Sequence, residues 1–357
     1  MTASERLAEL LHLGQNTAVV IHDPANLFYL TEGYTGEGLV YLTADRRVII
    51  TDFRYTEAAE KQAPDFEVIM TDSDHPHEKR LAELCEQDRI AELRFESNYL
   101  PVDDFEELRA AVGEEMVFVP LKKAPQTLRQ IKTPAETVIM RKAGAITSEA
   151  FEAVLPKIRP GMTETELRLE LENTMYRLGA EALAFHTIIA SGVNGSLPHA
   201  IPGSRKLQKG DMITMDFGAK VGGHCSDMTR TVALGEPSAE MKKVYSTVLR
   251  AQTMCEAALA AGKNCFEIDR LARDYIDSQG YAGRFGHGLG HCVGIEIHET
   301  PRLSPRCHDF LKAGMVITVE PGIYLPGVGG VRIENTYLVR ENGSEPLTTA
   351  RKELVIL

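Results

Sequence analysis

One stretch of the chain is stated twice. Gly210 to Thr231 reads GDMITMDFGAKVGGHCSDMTRT, and from Gly314 its opening returns as GMVITVEPG. At equal offsets Thr214 meets Thr318, Asp216 meets Glu320 and Gly218 meets Gly322. The second acid is echoed as well: Asp227 opens D-M-T and Glu334 opens E-N-T, each before a β-rich run. Four carboxylates therefore arrive as two matching pairs. Packing alone is a poor explanation, because ionised carboxylates are rarely buried unless they are paired or hold metal.

The flanks repeat in the same register. Thr133-Pro134-Ala135-Glu136 is a capping box with proline at the first helical position, and predicts a helix to about Ile158. Thr163 to Glu166 is a second box, whose helix ends at Gly179. After the first acid pair come helices over Ala239 to Ala261 and from the Asn264 cap to Gly280. Thr163 precedes Asp216 by 53 residues and Asn264 precedes Glu320 by 56. The order helix, helix, strands, acid pair thus occurs twice. Two such halves, face to face, predict a curved antiparallel sheet with helices outside and a pseudo-twofold axis where the acids converge. Strand alternation puts Met212, Thr214 and Asp216 on one face, and likewise Val316, Thr318 and Glu320 on one strand and Arg332 and Glu334 on the last. Four converging negative charges are prohibitive without cations, and two divalent ions would neutralise them.

Upstream, strand signals at Thr17 to Asp23 and Leu39 to Asp52, the latter turning near Asp45, precede a helix near Tyr55 to Gln62. Helix and strand signals then alternate to Pro120, which describes a separate α/β domain. Proline-punctuated Lys122 to Pro134 marks the boundary, placing one domain at residues 1–125 and a second at 126–357. His75 and His77, in SDHPHEK, read as a solvated polar loop. The fold class is thus α/β (α+β) overall.

A formal charge of −12 with no basic cluster argues against nucleic acid as a partner. No apolar run reaches the ~18 residues that a membrane helix needs, and the first residues lack a basic segment followed by an apolar one, so a cytoplasmic protein is expected. Six cysteines without a CxxC pair are expected to be reduced. Cys225 and Cys292, beside candidate ligands, read as small buried apolar residues.

A nitrogen ligand is offered by FGHGLGHCVGIEIHETPR (Phe285 to Arg302), in which His287, His291 and His298 are embedded in glycines. Gly286 to His291 is not a dinucleotide fingerprint, since GxGxxG fails at its last position and no βαβ unit surrounds it. Three histidines lying between two acid pairs point to a metal site.

With HGLGHCVGIEIHE and VEPGIY, the set Asp216, Asp227, His291, Glu320 and Glu334 resembles the pita-bread metallopeptidases, the family of methionine aminopeptidase, aminopeptidase P and prolidase. NLFYLT (Asn26 to Thr31) and TDFRYTEAA (Thr51 to Ala59) resemble the N-terminal domain of the creatinase, prolidase and aminopeptidase P branch. The resemblance implies that Asp216 binds one metal, that Asp227 and Glu334 bridge two, and that His291 and Glu320 complete the second. Mn²⁺ or Co²⁺ suits this oxygen-rich set, with Zn²⁺ or Fe²⁺ also compatible. It further implies a catalytic role for Glu320 in proton transfer, for His298 as a donor to the oxyanion, and for His199 near the scissile nitrogen. His287 and Arg302 become substrate-binding residues, Arg302 through the carboxylate of a dipeptide.

The reaction implied is hydrolysis of the bond before proline, with Xaa-Pro dipeptidase favoured over Xaa-Pro aminopeptidase acting on longer peptides. A metal-free creatinase-like hydrolase and a non-enzymatic binding protein are the remoter readings; both classes have lost ligands, and this chain has all five. Similar proteins are usually homodimers, which is the expectation here.

Overall fold

The computed structural model describes residues 1–357, and its contacts divide the chain into two units, Met1–Arg129 and Gln130–Leu357. The first has strands β1 (Thr17–Ile21), β2 (Leu39–Leu42), β3 (Arg47–Thr51), β4 (Glu67–Met70), β5 (Glu92–Phe95) and β6 (Val117–Pro120). Its helices are α1 (Ala3–Leu10), α2 (Pro24–Leu30), α3 (Thr56–Gln62), α4 (His77–Gln87), α5 (Val102–Val112) and α6 (Ala124–Arg129). The sheet order is β4-β3-β2-β1-β5-β6, with β1, β2 and β3 an antiparallel meander and the outer pairs parallel. The run Leu39 to Asp52 folds as expected into a hairpin, closed by Thr43 N–H donating to Arg46 O at 2.9 Å. His77 departs from the polar-loop expectation. It opens α4, which follows Pro76 and buries Leu81, Leu84 and Cys85 at helical spacing.

The second unit opens on α7 (Pro134–Val154) and α8 (Glu164–Arg177), then β7 (Ala182–Leu183), β8 (Ile188–Ser191), β9 (Met212–Phe217), β10 (Ala219–Val221), β11 (His224–Cys225) and β12 (Met228–Ala233). Next come α9 (Ala239–Ala258), α10 (Cys265–Ile276), β13 (Gly290–Cys292), β14 (Glu299–Leu303), β15 (Val316–Val319), β16 (Gly322–Leu325), β17 (Gly329–Arg332), β18 (Asn335–Arg340) and β19 (Gly343–Pro346). Both capping boxes form. Thr133 Oγ1 accepts from Glu136 N–H at 3.2 Å and Glu136 answers Thr133 N–H at 2.8 Å; the Thr163–Glu166 pair does so at 3.1 and 2.7 Å. Helix α7 ends short of Ile158, because Pro156 cannot continue the α ladder and the chain tightens into a 3₁₀ turn.

The duplication is visible in the sheets. Strands β8, β9 and β12 form one antiparallel trio, and β13, β15 and β18 form its counterpart inside a five-stranded sheet. Each half has its own apolar core: α7 and α8 supply Phe151, Leu167 and Leu171 to the first, α9 and α10 supply Val248, Ile268 and Ile276 to the second. The halves join between β12 and the run into β18. There Thr231 Oγ1 accepts from Arg332 N–H at 3.2 Å and donates to Arg332 O at 2.9 Å, and Glu334 N–H donates to Thr229 O at 3.0 Å.

One expectation is corrected at this seam. Arg332 and Glu334 do not share a strand: Arg332 closes β17, in a two-stranded sheet with β16, and Glu334 lies in the break before β18. The break has a cause. Glu334 spends its backbone on the other half, with N–H on Thr229 O and its carbonyl accepting from Arg230 at 2.5 Å, leaving neither group for a ladder.

Candidate active site

The seam opens into a cavity of about 590 Å³, within the ~300–1,000 Å³ typical of small-ligand sites. All nine residues singled out in the sequence line it: His199, Asp216, Asp227, His287, His291, His298, Arg302, Glu320 and Glu334. Strand ends deliver the acids. Asp216 is the penultimate residue of β9, Asp227 immediately precedes β12, Glu320 immediately follows β15 and Glu334 immediately precedes β18.

His291 is aimed by its backbone. The register between β13 and β14 slips between His291 and Cys292, a bulge of the kind that redirects side chains. Gly290 permits this approach, since a Cβ there would stand 2.1 Å from Thr318 O. His291 Nδ1 lies 3.1 Å from Cys292 O; a carbonyl can only accept, so Nδ1 carries the proton and the Nε2 lone pair is free. Nε2 faces Asp227 Oδ2 and Glu320 Oε1, each at 3.5 Å. Those separations exceed hydrogen-bond length.

Such spacing suits ligands that share a central ion. Ligand atoms of Asp227, His291 and Glu334 all lie within 4.8 Å of one another. Asp216 Oδ2 is held by Arg332 Nη2 at 2.6 Å, whereas its Oδ1 is buried without a hydrogen-bond partner. Burial and the charge of Glu334 push the Asp227 and Glu320 carboxyls well above the usual range, and burial with the charge of Asp216 pushes Glu334 to about 8. Burial holds His291 down near 3, which keeps its imidazole neutral and able to ligate. An orphaned buried oxygen, crowded acids and one neutral imidazole fit divalent metal.

His287 lines the cavity with both ring nitrogens engaged. Nδ1 lies 2.8 Å from Gly288 O and so carries the proton; Nε2 accepts from the Tyr324 hydroxyl at 2.8 Å. Tyr324 in turn accepts from Arg332 Nη1 at 2.9 Å. The His298 ring stands edge-on to His291 with centroids 4.5 Å apart, and both His298 and His199 are exposed to the cavity. Cys225 and Cys292 are buried, and burial raises the Cys292 thiol to about 12, as befits packing residues.

Arg332 is the functional residue that its sequence context under-reports. Besides Asp216 and Tyr324, it donates from Nε to Thr229 Oγ1 at 3.2 Å and from Nη1 to Pro198 O at 3.3 Å. It therefore ties Asp216 to the loop that bears His199, and with the four acids leaves a formal −3. Thr229 passes the contact on, donating its hydroxyl to Glu334 Oε2 at 2.6 Å. The signal available was VRIE, a charged residue inside a run of buried β positions.

Comparison with known proteins bears on the whole chain. Residues 138–341 match metallopeptidase family M24, and residues 4–131 match the creatinase/prolidase N-terminal domain. An uncharacterized peptidase of Bacillus subtilis, YqhT, is 40% identical over 342 residues, 95% of either chain. Among solved structures, an Xaa-Pro dipeptidase from Bacillus anthracis superposes with a TM-score of 0.95 at 38% identity, covering 99% of each chain. An X-Pro aminopeptidase from Thermotoga maritima gives 0.91 at 35% identity, covering 99% of this chain and 100% of the other. These neighbours share the creatinase-like N-terminal domain and the duplicated pita-bread domain derived above, and the chain belongs to metallopeptidase family M24.

Proposed function

We propose that this metal-dependent hydrolase cleaves the peptide bond preceding proline, with Xaa-Pro dipeptides as substrates. The observation that carries the reading is the convergence of all five candidate ligands in one cavity whose wall also bears Arg302, a guanidinium without an ion pair. A complete set of candidate ligands in one cavity weighs against a metal-free hydrolase and a non-enzymatic protein. The tertiary amide before proline has no N–H, so recognition must come from elsewhere, and a carboxylate fork at the leaving end supplies it.

Asp216, Asp227, His291, Glu320 and Glu334 would hold two divalent ions, Mn²⁺ or Co²⁺ in preference to Zn²⁺ or Fe²⁺. Bound there, the ions would polarise the carbonyl and bring the pKa of a water to near ~7. Glu320 would take up a proton from the attacking water and return it to the leaving nitrogen. His298 donates to the developing oxyanion, a contact whose removal costs on the order of 10²–10³ in turnover. His199 meets the leaving residue, on a loop that Arg332 steadies. Arg302 binds the proline carboxylate, and His287, whose nitrogens are engaged, walls the pocket with its ring.

No helix of the chain is long and apolar enough to cross a membrane, and we place the protein in the cytoplasm as a homodimer, with light scattering as the check on the latter. The functional test is Ala-Pro against Ala-Pro-Ala after Mn²⁺ loading, with metal counted per chain. Cleavage of Ala-Pro by protein holding near two ions is expected. Rapid cleavage of the tripeptide with the dipeptide left intact would make it an aminopeptidase, and absence of bound metal would sink the dinuclear reading.

A further inference from the structure

Three arginines line the cavity, and only one is spent on the acids. Arg332 pairs with Asp216 at 2.6 Å, while Arg302 and Arg306 carry no ion pair and are exposed. A dipeptide presents one carboxylate, and one planar fork satisfies it. The second free guanidinium therefore needs its own explanation.

The backbone sets the two in sequence along the wall. Arg302 lies in β14 directly opposite His291, so both side chains leave the same face of the sheet. Arg306 comes four residues on, past the strand end, in the turn Ser304-Pro305-Arg306-Cys307. Cys307 N–H closes that turn on Ser304 O at 3.2 Å, and proline at its second position fixes the backbone angle there. The loop is braced from outside: Cys265 N–H donates to Asp309 O at 2.9 Å, and Asn264 Nδ2 to His308 O at 3.0 Å. It is braced from inside at Gly288, where a Cβ would stand 3.0 Å from Leu303 O and 3.3 Å from Ser304 Cβ. Arg306 is thus mounted on a held turn four residues past Arg302, and of the two it is Arg302 whose charge reaches Glu320 and His291.

A peptide one residue longer than Xaa-Pro carries its carboxylate ~3.3–3.6 Å further out along an extended chain. We infer that Arg306 is a second carboxylate anchor, which binds the C-terminus of Xaa-Pro-Xaa tripeptides as Arg302 binds that of dipeptides. The site then reads peptide length as a choice between two guanidinium forks, and accepts both. This rests on the proline-directed reading above and adds a specificity residue to it.

The test is steady-state kinetics of the Mn²⁺-loaded full chain on Ala-Pro, Ala-Pro-Ala and the C-terminal amide of the tripeptide. Loss of one charge-assisted fork corresponds to roughly ten- to hundredfold. Arg306→Ala is expected to lower the tripeptide-to-dipeptide ratio of kcat/KM by that factor, chiefly through KM, and Arg302→Ala to raise it. On the amide the Arg306→Ala penalty should shrink to about twofold, and Arg306→Lys should recover part of the ratio on the free acid. A wild-type enzyme that cleaves Ala-Pro and ignores the tripeptide overturns the inference, as does a ratio unmoved by Arg306→Ala or an equal penalty on acid and amide. Failure of the wild type on both free peptides would instead bring down the proline-directed reading itself.

Discussion

Two buried glutamates, one in each unit, show how a structural carboxylate differs from a ligand. Glu96 and Glu334 are 0% and 1% exposed. Glu96, following β5, accepts from His22 N–H at 2.7 Å, Asp23 N–H at 2.8 Å and Asn26 Nδ2 at 2.5 Å. Three fixed donors face its oxygens, and the one further acid beside it is Asp23. Glu334 has a single side-chain donor, the Thr229 hydroxyl, and shares its cavity with three more acids. Burial alone does not mark a ligand. What marks it is burial with too few donors for the lone pairs present, and that deficit is what a cation fills.

The largest test of this contrast is Glu334→Gln, alongside Asp227→Asn and Glu320→Gln. Each is expected to abolish hydrolysis at saturating Mn²⁺ while the chelator-treated protein melts no lower than wild type, because each removes repulsion from a site short of positive charge. Near-normal turnover in any of them would break the metal assignment; a collapsed apo melting temperature would make the acid structural, like Glu96. Arg332→Met stands next. Removing one partner of a buried pair costs ~3–5 kcal/mol, and here it also frees Asp216 Oδ2 and the Pro198 carbonyl. Lowered apo stability is expected, together with weakened turnover through the His199 loop. Lysine at 332 should rescue little, since a point charge cannot span Asp216, Tyr324 and Thr229 as the fork does. Full rescue by lysine would reduce Arg332 to a counter-charge.

The same contrast explains what was legible in the sequence. Asp216, Asp227, Glu320 and Glu334 could be found because the repeat places them at matching offsets, and the helices around them because Thr133 and Thr163 announce their own starts. Arg332 was read on one strand with Glu334, which the fold divides, and a charged residue in a strand reads alike whether it meets solvent or four acids. Strand β8 escaped because it is four residues long and owes its form to pairing with β9 across a long connection. The neutral tautomer of His291 depends on the Cys292 carbonyl, and the Tyr324–His287 contact on two segments distant in sequence. Such things are products of tertiary packing, and no local pattern encodes them.

The smallest expected effect belongs to Glu96, and it returns to the opening contrast. Burial outweighs its three donors and raises its pKa to about 7. The folded protein thus binds this proton more tightly than the unfolded chain, whose carboxyl titrates near ~4.3. The stabilisation is fully present below the unfolded pKa and is lost as pH rises through about 7, with an upper size on the order of 4 kcal/mol. Melting of the first unit's signals should therefore fall between pH 5 and 7.5 in wild type, as read by hydrogen exchange at β1 and β5. Glu96→Gln should flatten that slope while leaving kcat of the Mn²⁺-loaded enzyme near wild type. A slope unchanged by the substitution would mean that the three N–H donors hold Glu96 ionised throughout, and that even its burial is fully compensated.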